Sequence, residues 1–271
     1  MRFHITLLGL LAGALFLNSC TPIGPPASRS ISADSAATPW NSPSASPEAG
    51  AATGLARRPV ERPGLATGWG DSKKSSLRVV SYNRASSRPA GTDAIYYNDS
   101  DGVHAMADAK KKVSAMQSAA GGLVEWGIKG RYGYLKTYES HTHGKRFVMG
   151  SKGSNYSIVV KNKSRSTLEI VCSVDGLDVM DGKTAKYSKR GYLVAPGKTL
   201  TIEGFRTSLD RVAKFKFSGV SSSYANLKHG DARNVGVIGM AVFTQKGVHA
   251  WGPSTRDEEL RAAASPFATA P

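Results

Sequence analysis

The chain has 271 residues, a formal charge of +16, 40% apolar residues and 8% aromatics, enough for one or two domains with a core of their own. Its two cysteines, Cys20 and Cys172, exclude a scaffold held by several disulfides, and no apolar run reaches the roughly 20 residues that a membrane-spanning helix needs. The basic surplus favours anionic partners: phospholipid headgroups, lipopolysaccharide phosphates, teichoic-type polymers or nucleic acid.

Residues 1–19 have the parts of a secretory signal. Arg2 and His4 make a short polar start, and residues 5–16 are apolar apart from Thr6 and small glycines and alanines. Leu17-Asn18-Ser19-Cys20 then resembles the lipobox of bacterial lipoproteins, with Asn18 bulkier and more polar than the small residue usual there. The resemblance implies that Cys20 takes a diacylglyceryl thioether and becomes the acylated N-terminus. Thr21 is not the aspartate that favours inner-membrane retention, so the resemblance implies the outer membrane of a diderm envelope. The expected membrane contact is lipid alone, which holds stably once two or more acyl chains are present. Acylated Cys20 would also leave Cys172 without a disulfide partner.

Residues 20–65 are rich in Pro, Ser and Ala, with eight prolines from Pro22 to Pro63. Such a segment buries too little apolar surface to offset its ordering entropy, and it reads as a disordered tether. Residues 66–122 form a mixed segment. A strand is expected at 77–82. Val103, Met106, Lys110, Val113 and Met116 recur near helical spacing, which predicts one amphipathic helix over 102–119, stopped by Gly121-Gly122. Lys110, Lys111 and Lys112 lie on its polar side as candidate contacts to an anionic surface.

From residue 123 to 250 the pattern is that of strands. Tyr156, Ile158 and Val160 share one face, and so do Leu168, Ile170, Cys172 and Val174; with a turn at 162–165 between them, the pair reads as a hairpin. Cys172 therefore reads as a packed core thiol. Tyr192-Leu193-Val194 and Leu200-Thr201-Ile202 flank a turn at 195–198. Ala213, Phe215 and Phe217 alternate with Lys214, Lys216 and Ser218, core on one side and basic on the other. Residues 235–243 are apolar on both faces, as in a central strand. The fold class expected is mainly β, a β-sandwich or jelly-roll-like domain, followed at 251–271 by a mobile tail with a helical turn near 257–263.

Six strings inside this region, SVDGLDVMDGK at 173–183, RGYLVAPG at 190–197, IEGFRTS at 202–208, VAKFKFS at 212–218, SSYA at 222–225 and NVGVIGMAVF at 234–243, are together similar to a group of uncharacterised bacterial proteins sharing them in this order. The resemblance implies an ordered β domain and carries no activity with it.

Candidate chemistry is sparse. Asp175, Asp178 and Asp181 could offer oxygen ligands to Ca²⁺, although two Asp-Gly turns, at 175–176 and 181–182, are the preferred account. Glu139, His141 and His143 could meet a transition metal if extended. A metal is preferred at neither place, and no cofactor is expected. Residues 127–134 mix bases and aromatics, as a surface that binds single-stranded nucleic acid or sugars by stacking and charge does; an aromatic β-strand is the preferred reading. Arg206, beside Phe205, is expected to make a buried ion pair with Asp175 or Asp178, and Arg211 is a further candidate binding residue. No nucleophile elbow or phosphate-binding loop occurs. The expectation is a non-enzymatic envelope lipoprotein that presents a basic module on a flexible tether to a protein or an anionic polymer, with nucleic acid set aside. The alternative is an envelope enzyme acting on glycans or lipids near Asp175, Asp178, His141, His143 and Arg206.

Overall fold

The computed structural model describes residues 59–107, 111–140, 144–251 and 255–264. In chain order the elements are β1 (Leu65–Lys74), β2 (Gly91–Asn98), α1 (Ser100–Ala107), β3 (Lys111–Val113), β4 (Gln117–Ala119), β5 (Val124–Gly130), β6 (Gly133–Tyr134) and β7 (Thr137–Glu139). Then come β8 (Arg146–Met149), β9 (Asn155–Asn162), β10 (Leu168–Val174), β11 (Leu177–Asp178), β12 (Tyr192–Val194), β13 (Thr199–Ile202), β14 (Gly204–Arg206) and β15 (Arg211–Gly219). A 3-10 turn at Val220–Ser222, α2 (Tyr224–His229), β16 (Val237–Thr244) and α3 (Thr255–Ala262) complete the described chain. The protein is mainly β, as its alternating sequence predicts, and its strands form two sheets. The first runs β1-β15-β9-β5-β4, with β13, β14 and β6 alongside; the second runs β11-β10-β16-β2-β8-β7-β3, with β12 alongside.

One apolar core takes side chains from both sheets: Trp126, Ile158, Phe215 and Phe217 from the first, Ile95, Ile170, Cys172 and Ile238 from the second. Each of the isoleucines and phenylalanines among them, fully removed from water, contributes roughly 1.5–3 kcal/mol. Strand β16 is flanked on both sides, by β10 and β2. Its even-numbered residues Ile238, Met240 and Val242 enter the main core, while Ala241 and Phe243 pack with Val171 on the far face of the sheet.

The hairpin expected from 156–174 does not form. Strand β9 belongs to the first sheet and β10 to the second, so residues 163–167 arch across the sandwich. Face alternation is identical in a hairpin and an arch; what decides here is Asn162. Its buried side chain accepts hydrogen bonds from Ser164 N (2.8 Å) and Ser164 Oγ (2.7 Å). It donates to the carbonyls of Ser166 and Val194, each at 2.8 Å. Strands β12 and β13, on either side of the 195–198 turn, likewise pair into different sheets.

The helix expected over 102–119 is much shorter. Asp99 Oδ1 accepts the Gly102 N–H (2.8 Å) at its start, as an N-cap does. Val103 is buried against Tyr96, Phe147 and Tyr138, but Met106 stands 55% exposed. The apolar stripe is thus spent within α1, and the following residues enter strands: Lys111 and Lys112 pair with Glu139 and Tyr138 in β7. Lys110 lies outside the described residues. The strand expected at 77–82 is also absent, and Val79 and Val80 are exposed there. The ladder is instead made by β1, and the residues just before it are tied down. Asn226 Nδ2 donates to Val60 O (2.7 Å) and Arg62 to Val235 O (3.0 Å), so the domain's contacts begin inside the segment expected to be tether.

A buried polar chain joins the two sheets. Asp175 and Gly176, with φ of 54° and 79°, form the two-residue turn between β10 and β11. That geometry is the one Asp-Gly favours, and a Cβ on Gly176 would also press on Asn234 at 2.8 Å. The Asp175 carboxylate accepts Thr67 N (2.8 Å), Gly236 N (2.9 Å) and Tyr97 OH (2.6 Å). Thr67 Oγ1 lies 2.7 Å from Tyr97 OH and 2.6 Å from Tyr156 OH. Since Tyr97 donates to Asp175, Thr67 donates to Tyr97 and accepts from Tyr156. Burial pushes the Asp175 carboxyl up to about 6 against these donors, and burial beside Asp175 holds both tyrosine hydroxyls well above their usual range.

Candidate binding site at the rim of the first sheet

Strands β5 and β6 turn tightly. Lys129 pairs with Tyr134 and Gly130 with Gly133, leaving Arg131 and Tyr132 as the loop. Gly133 has φ of 126°, a conformation that side-chain-bearing residues rarely adopt. The alternation of β5 puts Trp126 and Ile128 into the core and Lys129 outward. Lys129 also pairs with Ser157 of β9, so Ser157, Lys129 and Tyr134 form one row across three strands. Tyr132 is 94% exposed at the tip and Tyr134 46%, and the Arg131 guanidinium sits 5.5 Å above the Tyr132 ring.

This hairpin forms one wall of a cleft of 860 Å³. Lys73 and Lys214 bring positive charge from β1 and β15, and Asn155 and Ser154 add neutral polar groups. Among the described residues Glu203 is the one acidic side chain lining it, and Lys73 neutralises it at 2.6 Å. Among the described residues Lys129, Arg131 and Lys214 make no ion pair, so their charge is available to a ligand. The ribbon of β1 and β15 carries the charge beyond the cleft. Lys74 pairs with Arg211 at its far end, where the Arg211 guanidinium donates to Ser72 Oγ at 3.1 Å. A hydrogen bond from Ser208, with Arg211 and Lys74 nearby, holds the Asp210 carboxyl below its usual range.

The other sequence candidates fall into separate roles. Arg206 makes no ion pair with Asp175 or Asp178: it donates to the carbonyls of Ser75 (2.8 Å), Ser208 (3.2 Å) and Leu209 (3.3 Å) and to Tyr192 OH (3.3 Å). The acceptors of Asp175 are already occupied by backbone amides and Tyr97. Asp178 is fully buried, accepts the Met180 N–H (2.8 Å), and has its carboxyl pushed up by burial. Asp181 pairs with Lys189 at 2.7 Å. The three aspartates thus serve three different local structures, and among the described residues no group of three or more His, Cys, Asp or Glu is placed to hold a metal. His141 and His143 lie outside the described residues. Lys111 reaches Glu139 at 3.7 Å, and Lys112 is an exposed edge residue of the second sheet.

The base-aromatic mixture at 127–134 is visible in the sequence, where it reads as an ordinary strand. Missing was the partner wall: Lys73 lies in a Gly-, Ser- and Lys-rich stretch without strand character, and Lys214 shows only the alternation of an amphipathic strand. Buried polar pairs were missed as well. Arg84 binds Glu169 at 2.6 Å and lies 3.7 Å above the Phe243 ring. Asp93 is held by Arg146 and by Trp126 Nε1 (2.7 Å). No protein-family model, curated protein or solved structure matches the chain.

Proposed function

We propose that the protein is an envelope lipoprotein, acylated at Cys20 and leashed by its Pro-rich segment, whose β-sandwich binds an anionic polymer of the cell envelope without transforming it. The observation that carries the reading is the rim cleft, where Lys129, Arg131 and Lys214 make no ion pair among the described residues and stand beside two exposed tyrosines. A groove lined by unpaired cations suits a charged chain laid along it. It does not resemble the apolar centre of a stable protein interface. Asp175, Asp178 and Arg206, which the enzymatic alternative needs in a cleft, are engaged by backbone groups. The lipobox resemblance and the tether composition support the address; among the described residues no helix is long and apolar enough to cross a membrane.

Two measurements test the reading. The double variant Lys129→Glu/Lys214→Glu, in the full chain, should lose salt-sensitive binding to anionic envelope polymer while keeping its circular dichroism spectrum; unchanged binding refutes the site. Cys20→Ser should move the protein from the membrane to the soluble fraction and abolish incorporation of labelled palmitate; unchanged fractionation refutes the anchor.

A further inference from the structure

We infer that the rim cleft takes an acidic glycan, a chain of sugars bearing carboxylate groups, and that Tyr132 and Tyr134 are its sugar-stacking residues. The inference rests on the polymer-binding reading above and narrows it to one ligand class.

Three kinds of group converge in the cleft, and an acidic sugar uses all three. Lys129, Arg131 and Lys214 meet negative charge. Ser157 and Asn155 offer a hydroxyl and an amide, which can pair with the hydroxyls of a sugar ring as well as with anionic oxygens. Tyr132 and Tyr134 offer ring faces at 94% and 46% exposure, and the flat C–H face of a sugar packs on such rings. An inorganic polyphosphate has no face to present to them.

Spacing separates the glycan from a nucleic-acid strand. Lys129 and Tyr134 are direct cross-strand partners on one face, so their Cβ atoms stand about 4.5–5.5 Å apart. A uronic acid carries its carboxylate on the same ring whose face would stack, and so fits a cation and an aromatic set side by side. In a nucleotide the ribose stands between phosphate and base, which asks for a longer separation. Tyr132, steadied by Arg131 at 5.5 Å, extends the platform by one position along the hairpin tip, as a chain of repeated sugars requires.

The test uses the full chain in detergent with four probes: polygalacturonate, inorganic polyphosphate, neutral dextran and oligo-dT, each followed by calorimetry or fluorescence anisotropy. Tyr132→Ala and Tyr134→Ala sit on exposed positions and leave the core intact. Each should weaken polygalacturonate binding about tenfold, the scale of losing one stacked ring, and leave polyphosphate binding unchanged. Lys129→Ala should weaken both polyanions. Tyrosine variants that leave polygalacturonate binding unchanged overturn the inference while the polymer reading stands. Oligo-dT binding tighter than polygalacturonate, and lost in the same variants, overturns it in favour of a nucleic acid. Failure of every charged probe to bind overturns the polymer reading with it.

Discussion

Replacing Asp175 with asparagine should remove most of one pH dependence from the stability of the domain. The carboxylate is fully buried, and burial raises it from 3.8 to about 6. At 1.36 kcal/mol per pH unit, that displacement makes the folded state about 3 kcal/mol less stable above pH 6 than below pH 3.8, from this residue alone. The sign follows from the raised value: the folded protein holds the proton more tightly than the unfolded chain, so the contribution is full at low pH and lost as pH rises through 6. Asparagine does not titrate. Its oxygen can take the place that accepts Tyr97 OH and Gly236 N, but its amide then faces the Thr67 N–H, donor against donor, at a cost of about 1–3 kcal/mol. The variant should therefore be the less stable protein at pH 4, and the gap should close or reverse by pH 7. Urea unfolding at pH 4, 5, 6 and 7, followed by tryptophan fluorescence, measures it. A stability difference between the two proteins that stays constant across that range would refute the assignment of a raised, buried carboxylate to Asp175.

Asn162→Ala should cost about 2–4 kcal/mol, because it leaves Ser164 and the carbonyls of Ser166 and Val194 short of buried partners; a Tm within 2 °C of the parent, by roughly the scaling for a domain this size, would show that the arch does not depend on it. Phe215→Ala should cost about 3–5 kcal/mol, given its full burial between Tyr156 and Phe205, read by chemical denaturation. Cys172 is buried and its thiol is pushed well up by that burial, so iodoacetamide should label it only after denaturation; labelling of the native protein at pH 8 contradicts its core position. With three cations in the cleft that make no ion pair among the described residues, affinity for a charged polymer should fall about 15–40-fold between 50 and 200 mM salt if each neutralised charge contributes as it does on nucleic acids. A salt-independent affinity would count against the cleft.

The faces of the strands were legible in the sequence because a period of two survives any choice of partner. Leu168, Ile170, Cys172 and Val174 share the core side as their alternation implies. The partner of each strand was not legible. Residues 162–167 look the same whether they close a hairpin or arch between sheets, and the deciding contact, from Asn162 to Val194 O, reaches a residue far along the chain. The long helix failed because Val103, Met106 and Val113 match both a helical stripe and scattered partial burial, and one buried residue was enough for one short helix. Strand β1 was invisible for the opposite reason. Gly, Ser and Lys give it no strand propensity of its own, and its ladder with β15 and the Asp175 carboxylate hold it. Half of the candidate site was therefore readable: the hairpin with Arg131 and Tyr132 was in view, while the Lys73 and Lys214 wall depended on long-range pairing.

The arches at 163–167 and 195–198 also bear on how the domain is made. A sandwich joined by hairpins can finish one sheet locally and then add the other. Here consecutive strands β9 and β10 go to opposite sheets, and so do β12 and β13, so neither sheet closes until the chain has passed back and forth between them. Pairing between strands far apart in the chain slows folding, because loop closure precedes the contacts that reward it. It also leaves the edges of partly built sheets open to other chains during that time. A chain cut after β15 would lack β16, and with it the strand that joins β10 to β2 at the centre of the second sheet.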